Sequence, residues 1–401
     1  MLLNPITLGA ETEALNVTAN GTYTAPSGTA YTPVTVNVGS SEPERDVNFI
    51  DYDGTIVHSY TAAEFAELTA LPANPSHDGL TAQGWNWTLS DAKAYVADYG
   101  KLWVGQMYIT DDGKTRIYIK LEEGLLALRL GIAVNGSVDV DWGDGSEHDT
   151  VTGSDAATVV STRHTYAEEG EYVIALAVTG EMALMGNSTV CSQVIWSGTA
   201  SGVAASRINA HYRNTIQRAE IGENCRIQNY AFCRCHALKS ITIPIGAITG
   251  SNYLLTDCLA LKSVTVPSGT NSLSVENDYS LTSISLPNGI TSINVGYCYV
   301  LKDITLPDSV SVLFFSYCRS LMRVTIPSGV TTISASAFGN CQTLFYIKFT
   351  RATPPTVSNS NAWTGVPENC IIYVPKGKKS AYTSATNYPS SSTFTYVEYD
   401  P

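Results

Sequence analysis

The sequence predicts a mainly β, modular chain in which small N-terminal β-modules and a β-sandwich precede a long C-terminal solenoid. Three observations carry that prediction. From Cys235 onward the chain repeats itself as CHALKSITIP, CLALKSVTVP, DYSLTSISLP, CYVLKDITLP and CRSLMRVTIP, with a partial further copy, CQTLFYIKF, from Cys341. Charged residues are only 15% of the chain, with abundant Gly, Ser, Thr and Tyr, the balance of an extracellular or virion-surface protein. Before the repeats, Val, Thr and Tyr alternate between Asn-Gly, Ser-Gly and Asp-Gly pairs, as in short strands joined by tight turns. At 401 residues the chain is long enough for several domains.

Residues 1–40 contain LNVTANGTYTAPSGTAYTPVTVNV, read as strands turning at Asn20-Gly21 and Ser27-Gly28. The stretch resembles a small β-module of phage tail and surface proteins of gut Firmicutes, which implies attachment to other virion proteins. SSEPERD, residues 40–46, is the linker.

Residues 47–128 read as an α+β unit. VNFIDYDGTIVHSYT turns at Asp53-Gly54, TAAEFAELTAL is a helix started by Thr61, and SDAKAYVADYG is a second helix capped by Ser90 and ended by Gly100. VGQMYIT and TRIYIKL follow as strands around Asp112-Gly113. GLTAQGWNW, residues 79–87, resembles the Gly-Trp signature of InlB-type repeats, which implies a β-grasp-like spacer. Trp85 and Trp87 either stack on a sugar or fill the core, and core is the commoner fate of a Trp beside Gly. Asp51, Asp53 and Gly54 suggest a phosphotransfer aspartate, but a hairpin turn explains them more cheaply.

In residues 129–180, VDVDWGDGS followed by HTYAEEGEYVIALAVTG resembles the PKD domain, an immunoglobulin-like sandwich. The resemblance implies Trp142 as core anchor, with Tyr166 and Tyr172 on the opposite sheet. Asp139, Asp141, Asp144 and Glu147 lie close enough in sequence for a Ca²⁺ site of hard oxygen ligands. Their spacing departs from an EF-hand loop and Asp-Gly turns need no ion, so no metal or other cofactor is assigned.

Residues 181–234 read as irregular first coils, with IWSG near 195 and AEIGEN near 219 at strand positions. In the solenoid proper, 181–375, Leu238, Ile241 and Ile243 and their counterparts form the inward layer, and the Pro after each strand ends it. No copy buries its apolar face alone, so stability comes from stacking. The Cys column (Cys235, Cys258, Cys298, Cys318, Cys341, broken by Asp278) reads as a packed ladder, because ligands in single file do not surround a metal. The C-x-C-H of Cys233, Cys235 and His236 lacks the second pair a Zn²⁺ site needs.

The pattern Leu-x-x-Ile-x-Ile-Pro-x-Gly-Val-x-x-Ile, with Ala337, Phe338 and Cys341 in the final coil, resembles the BspA-type leucine-rich repeat of bacterial and phage-encoded surface proteins. CIIYVPKGKKSAYTSATNY, residues 370–388, resembles that family's closing segment, which implies a cap over 376–401. The family has no catalytic residues to carry over, and implies adhesion or recognition.

The net charge of −13 is uneven: residues 1–180 hold 25 acidic against 8 basic residues, the remainder 11 against 15. An acidic front half argues against nucleic acid, whose phosphates demand a concentrated basic surface. The mildly basic solenoid tolerates an acidic glycan. All nine Cys lie at or after Cys191, and the odd count argues against a disulfide framework. No apolar stretch reaches a membrane span and MLLNPITLGAETEALNV has no signal-peptide pattern, so either a leader is missing or the protein leaves its cell by lysis, as virion proteins do. The six His are scattered, and no G-x-S-x-G, H-E-x-x-H or phosphate loop occurs, so an enzyme is not expected.

Candidate ligand-binding residues are those the solenoid must expose. On the strand face these run from Ser240 and Thr242 through Ser263, Thr265, Ser283, Ser285, Asp303 and Thr305 to Arg323, Thr325, Tyr346 and Lys348. At the turns a Tyr-rich file includes Tyr279, Tyr297, Tyr299 and Tyr317, with Phe314 and Phe315 beside it. Stacked rings either bind a ligand or simply cover one another. The expectation is a non-enzymatic surface recognition protein binding a host-surface protein or glycan, on a phage virion as a tail-fibre or host-adhesion component. A homo-oligomer is compatible with a fibre. The alternatives are a bacterial cell-surface adhesin and a structural decoration with no specific ligand.

Overall fold

A computed structural model describes residues 21–23, 34–36, 45–122, 126–184, 215–249 and 253–400. The chain divides into two units, Met1–Arg45 and Asp46–Pro401. In the first, β1 (Gly21–Tyr23) and β2 (Val34–Val36) pair antiparallel. The Ser27-Gly28 turn, most of the 40–46 linker and the IWSG coil lie outside the described residues.

The second unit begins with β3 (Val47–Ile50), β4 (Ile56–Tyr60), helix α1 (Ala62–Glu67), β5 (Leu80–Trp85), helix α2 (Leu89–Tyr99) and β6 (Leu102–Thr110), in a sheet ordered β4-β3-β6-β5. At the β3–β4 turn Asp53 Oδ1 accepts the Thr55 N–H at 2.9 Å and Gly54 has φ 88°, so those residues serve the turn. Thr61 and Glu64 close a reciprocal capping box on α1. Helix α2 is capped two residues earlier than expected: the Thr88 hydroxyl, not Ser90, accepts the Asp91 N–H. Gly100 ends it in the left-handed region, φ 80°. Phe49, Phe65, Trp85, Tyr95 and Val104 fill this module's core.

After the turn at Gly113, β7 (Thr115–Leu121) does not fold back on β6. It pairs antiparallel with β10 (Gly170–Leu184) and with β11 (Ile216–Glu220), the first described strand of the solenoid. Next to β10 stand β8 (Ala127–Asp141) and β9 (Asp149–Thr165), while β12 (Cys225–Ile227) runs parallel to the end of β10. The segment resembling a PKD sandwich is therefore, by its pairing, three strands of one seven-stranded sheet ordered β13-β11-β7-β10-β8-β9, with β12 paired to β10 off this path and β13 spanning Ser240–Thr242. Trp142 is buried as expected, its carbonyl accepting from the Tyr166 hydroxyl at 3.0 Å. One hydrophobic core of described residues extends from Ile117 to Tyr396, so this sheet and the solenoid share it.

The solenoid coils line two faces with short parallel strands, hydrogen-bonded in sheets of two to four strands. The strand face comprises β14 (Ser263–Thr265), β16 (Ser283–Ser285), β19 (Arg323–Ile326), β21 (Tyr346–Phe349), β23 (Ile371–Pro375) and β24 (Thr395–Tyr399). The return legs give β15 (Ser272–Glu276), β17 (Ser292–Gly296), β18 (Val312–Phe314), β20 (Thr332–Ile333) and β22 (Thr356–Val357). In-register parallel pairing of Ser263 with Ser283 and of Leu273 with Ile293 is what a 20-residue repeat dictates. The predicted inward columns, Leu238, Ile241, Ile243 and their counterparts, are all buried. A short helix α3 (Lys379–Thr383) and Tyr382, Tyr388, Phe394 and Tyr396 close the last coil.

The strand face is not open along its length. The 46–110 module packs on it. Asn86 Nδ2 donates to the Val266 carbonyl and to Ser285 Oγ, each at 3.0 Å, and its Oδ1 accepts the Gly105 N–H at 2.9 Å. Trp87 Nε1 donates to the Leu286 carbonyl at 2.7 Å and the Tyr95 hydroxyl to that of Leu306 at 3.0 Å. Trp103 Nε1 reaches Asp303 at 3.1 Å, and the Tyr99 hydroxyl bonds Asp308. Gly105 is required here, since a Cβ would lie 2.3 Å from Thr265 Oγ1. Trp85 and Trp87 thus serve the core and this contact. The expectation that Ser240, Thr242, Ser263, Ser283 and Ser285 face solvent is corrected: all five are buried.

Candidate recognition surface

The turns between return legs and strands carry an ordered aromatic file that no described segment covers. Each coil buries a side chain in the Cys column, and the residue just before it takes a left-handed backbone. Arg234, Asp257, Asn277, Tyr297, Tyr317 and Asn340 have φ between 58° and 62°. Such a conformation costs a non-glycine residue about 1–2 kcal/mol. It is held because the same residue's N–H bridges to the next coil: Tyr297 to the Ser316 carbonyl at 2.8 Å and Tyr317 to that of Gly339 at 2.6 Å.

Stacking adds to that bridge. Tyr297 and Tyr317 lie 4.6 Å apart with planes 6° from parallel, and on the other flank of the Cys column Tyr279 and Tyr299 lie 4.7 Å apart at 2°. The Arg319 guanidinium sits 4.7 Å over Tyr299, and a further pair, Tyr230 and Tyr253, stacks at 5.3 Å. Stacking hides the inner faces of these rings and Arg319 covers Tyr299 from the next coil, so edges and hydroxyls make up most of what the file presents. The surface therefore suits hydrogen bonding and edge contacts more than a sugar laid flat on a ring. Tyr279, at the end of its pair, is 41% exposed.

The Cys column beneath is apolar and reduced. Cys258, Cys318 and Cys341 point their Sγ at carbonyls one coil back, Phe232, Val295 and Phe315, at 3.2, 3.0 and 3.1 Å. Burial pushes the thiols of Cys225, Cys318 and Cys370 up to about 12. Cys233 is disulfide-bonded, so the C-x-C-H stretch offers no thiolate pair.

Asp278 is the column's exception. It is fully buried; Oδ1 accepts the Cys258 N–H at 2.6 Å, while Oδ2 has no partner among the described residues. Burial raises its carboxyl well above the usual carboxylate range, with Asp257 and Glu276 adding to the effect.

One residue predicted for the turn face is core instead, and two others keep their predicted place on the strand face. Phe315 is 0% exposed and packs on Phe338, so it is core and not a ligand contact. It belongs to an inward column three residues before each Cys position (Phe232, Leu255, Val275, Val295, Phe315, Phe338), whose apolar character was readable from the repeat. Arg323 and Tyr346 lie apart from the tyrosine file, on the strand face, where Arg323 pairs with Asp303 at 3.6 Å.

The Ca²⁺ candidates are divided between histidines. His148 Nδ1 meets Asp139 at 2.9 Å and its Nε2 lies 3.6 Å from Asp141, whereas Asp144 pairs with His164 at 2.7 Å. Against the effect of burial, bonds from Ser146 and His164 hold the Asp144 carboxyl down at about 2. Among the described residues no three such side chains converge on one point.

A β-solenoid whose coils each contribute Leu-x-x-Ile-x-Ile to a stacked core is a leucine-rich-repeat architecture. In particular, residues 207–314 and 308–385 match the family described as the BspA type leucine rich repeat region, in 6 copies. A solved leucine-rich repeat protein from Bacteroides ovatus ATCC 8483 aligns at 16% identity over 45% of this chain, with a TM-score of 0.19. The chain spans 66% of that protein, just under two thirds of its length, and so loose a superposition supports no structural comparison. No curated protein matches the chain.

Proposed function

We propose that this chain is a non-enzymatic surface recognition protein that binds a host-surface protein or glycan through the tyrosine file of its turn face. The stacked pairs Tyr279/Tyr299 and Tyr297/Tyr317 carry the reading. Tyrosine is a poor choice for a left-handed position that Asn or Gly occupies at lower cost, so two tyrosines there point to a selected surface. The similarity to BspA-type repeats supports a surface role. The resemblance of residues 1–40 to phage surface modules favours a virion component of the tail-fibre or host-adhesion kind.

Fluorescently labelled full chain, titrated onto candidate host cells, is expected to bind saturably and to be displaced by unlabelled chain. Binding that rises linearly without displacement on every cell type would overturn the recognition reading. Antibody labelling of purified particles against whole cells separates a virion from a bacterial-surface location.

A further inference from the structure

The strand face changes chemistry where the 46–110 module stops covering it. Under the module the outward columns are small, Ser263 and Thr265, then Ser283 and Ser285. Beyond the Trp103–Asp303 contact they become Arg323 and Thr325, Tyr346 and Lys348, and Ile371 and Tyr373, all half-exposed, then the exposed Thr395 and half-exposed Val397, with Tyr399 one position further along the last strand. The small residues fit a docked partner that is already present. The larger ones continue the same face without one.

Lys348 lies at the centre of this open part, in register between Thr325 and Tyr373. Its ammonium sits 4.4 Å from the Tyr399 ring centroid, and that ring is fixed by its hydroxyl donating to the Phe349 carbonyl at 3.0 Å. Tyr346 packs edge to face on Tyr373 at 5.6 Å. Among the described residues no carboxylate pairs with Lys348, and burial alone depresses its ammonium pKa. A cation half removed from water with no counter-charge is unfavourable until an anion arrives.

We propose that Lys348, framed by Tyr346, Tyr373 and Tyr399 with Thr325 beside it, binds the anionic group, carboxylate or sulfate, of an acidic glycan. The inference rests on the recognition reading but places a second contact on a different face. A glycan fits better than an acidic peptide because this part of the face presents hydroxyls and ring edges around one cation. The strand that carries Lys348 is paired on both edges, so an added peptide strand has no edge to join there.

The test is calorimetric titration of the full chain with oligogalacturonate, dextran sulfate and neutral dextran. One or both anionic probes are expected to bind, more weakly as salt is raised, and neutral dextran not to bind. The arm that responds distinguishes carboxylate from sulfate. Lys348→Met should weaken binding about tenfold, the loss of one charge-assisted contact. Lys348→Arg should retain it, and Tyr297→Ala with Tyr317→Ala should leave it unchanged. Circular dichroism melts, with Lys348→Gln as a second neutral variant, check that the fold persists. Equal binding by wild type and both neutral variants, binding of neutral dextran as tight as that of the acidic probes, or no binding of either acidic probe would overturn the proposal. Saturable cell binding alongside any of these results would leave the recognition reading standing.

Discussion

Replacing Asp278 by Asn should stabilise the protein, and by an amount that depends on pH in one direction only. Burial holds the folded carboxyl well above the usual carboxylate range, with Oδ2 unpartnered among the described residues, whereas in the unfolded chain it titrates near the ordinary aspartate value of about 3.9. Below that value both states hold the proton and the two proteins should differ little. As pH rises above it, the unfolded wild type loses a proton that the folded form keeps, and stability falls by about 1.4 kcal/mol per pH unit. Asp278→Asn has no proton to lose and keeps an oxygen for the Cys258 N–H. The stability difference should therefore grow with that slope and level off at the folded pKa. Asp278→Cys restores the column but takes the acceptor from that N–H, an omission that costs about 1–3 kcal/mol. It should gain less than Asp278→Asn. Urea unfolding followed by tryptophan fluorescence from pH 4 upward reads all three proteins. A difference that is constant with pH would mean that Asp278 is ionised in the fold, and the reasoning would fail.

Other consequences are testable in the same material. The raised thiols of Cys225, Cys318 and Cys370 should erode stability above about pH 8.5, by about 1.4 kcal/mol per pH unit for each, because only the unfolded thiols ionise there. Native protein should also resist a thiol-specific chromogenic reagent that reacts fully in denaturant, and immediate reaction would contradict their burial. Tyr297→Asn should stay within about 1 kcal/mol of wild type, exchanging a stack for an easier left-handed backbone, while Tyr297→Val should lose about 1–2 kcal/mol more; equal chemical stabilities would show that the backbone conformation is not the constraint. Asn86→Ala breaks the bridge between module and solenoid and should cost about 3 kcal/mol by leaving buried groups unpaired, so an unchanged calorimetric melt would argue against the docked arrangement.

The solenoid was legible because its information is periodic. Leu, Ile and Pro recur at fixed offsets, and stacking turns each offset into a column, so the Leu-x-x-Ile-x-Ile columns could be assigned without coordinates. The turn face was half legible. Its tyrosines stand out in the repeat, and adjacency alone places Phe315 with Tyr317, although the column Phe232, Leu255, Val295, Phe338 marks its position as inward. Asn277, Asp257 and Asn340, residues that tolerate a left-handed backbone, marked the column in which Tyr297 and Tyr317 stand.

The docking of 46–110 left no such trace. Asn86, Trp87 and Tyr95 find partners about 200 residues away, and nothing local to QGWNW distinguishes a core Trp from one that bridges to another segment. The departure of β7 from β6 was equally hidden, since an Asp-Gly turn specifies a reversal but not which sheet receives the next strand. The shift of the strand-face columns from Ser and Thr to Arg, Tyr and Lys was the one sequence signal that the face has a covered and an open part.

The most direct test of the account is saturation binding to host cells by the full chain and by Tyr297→Ala with Tyr317→Ala, at matched melting temperatures. Loss of saturable binding in the double variant is the predicted result. Undiminished binding would show that the tyrosine file is packing alone and that recognition, if present, lies on another face.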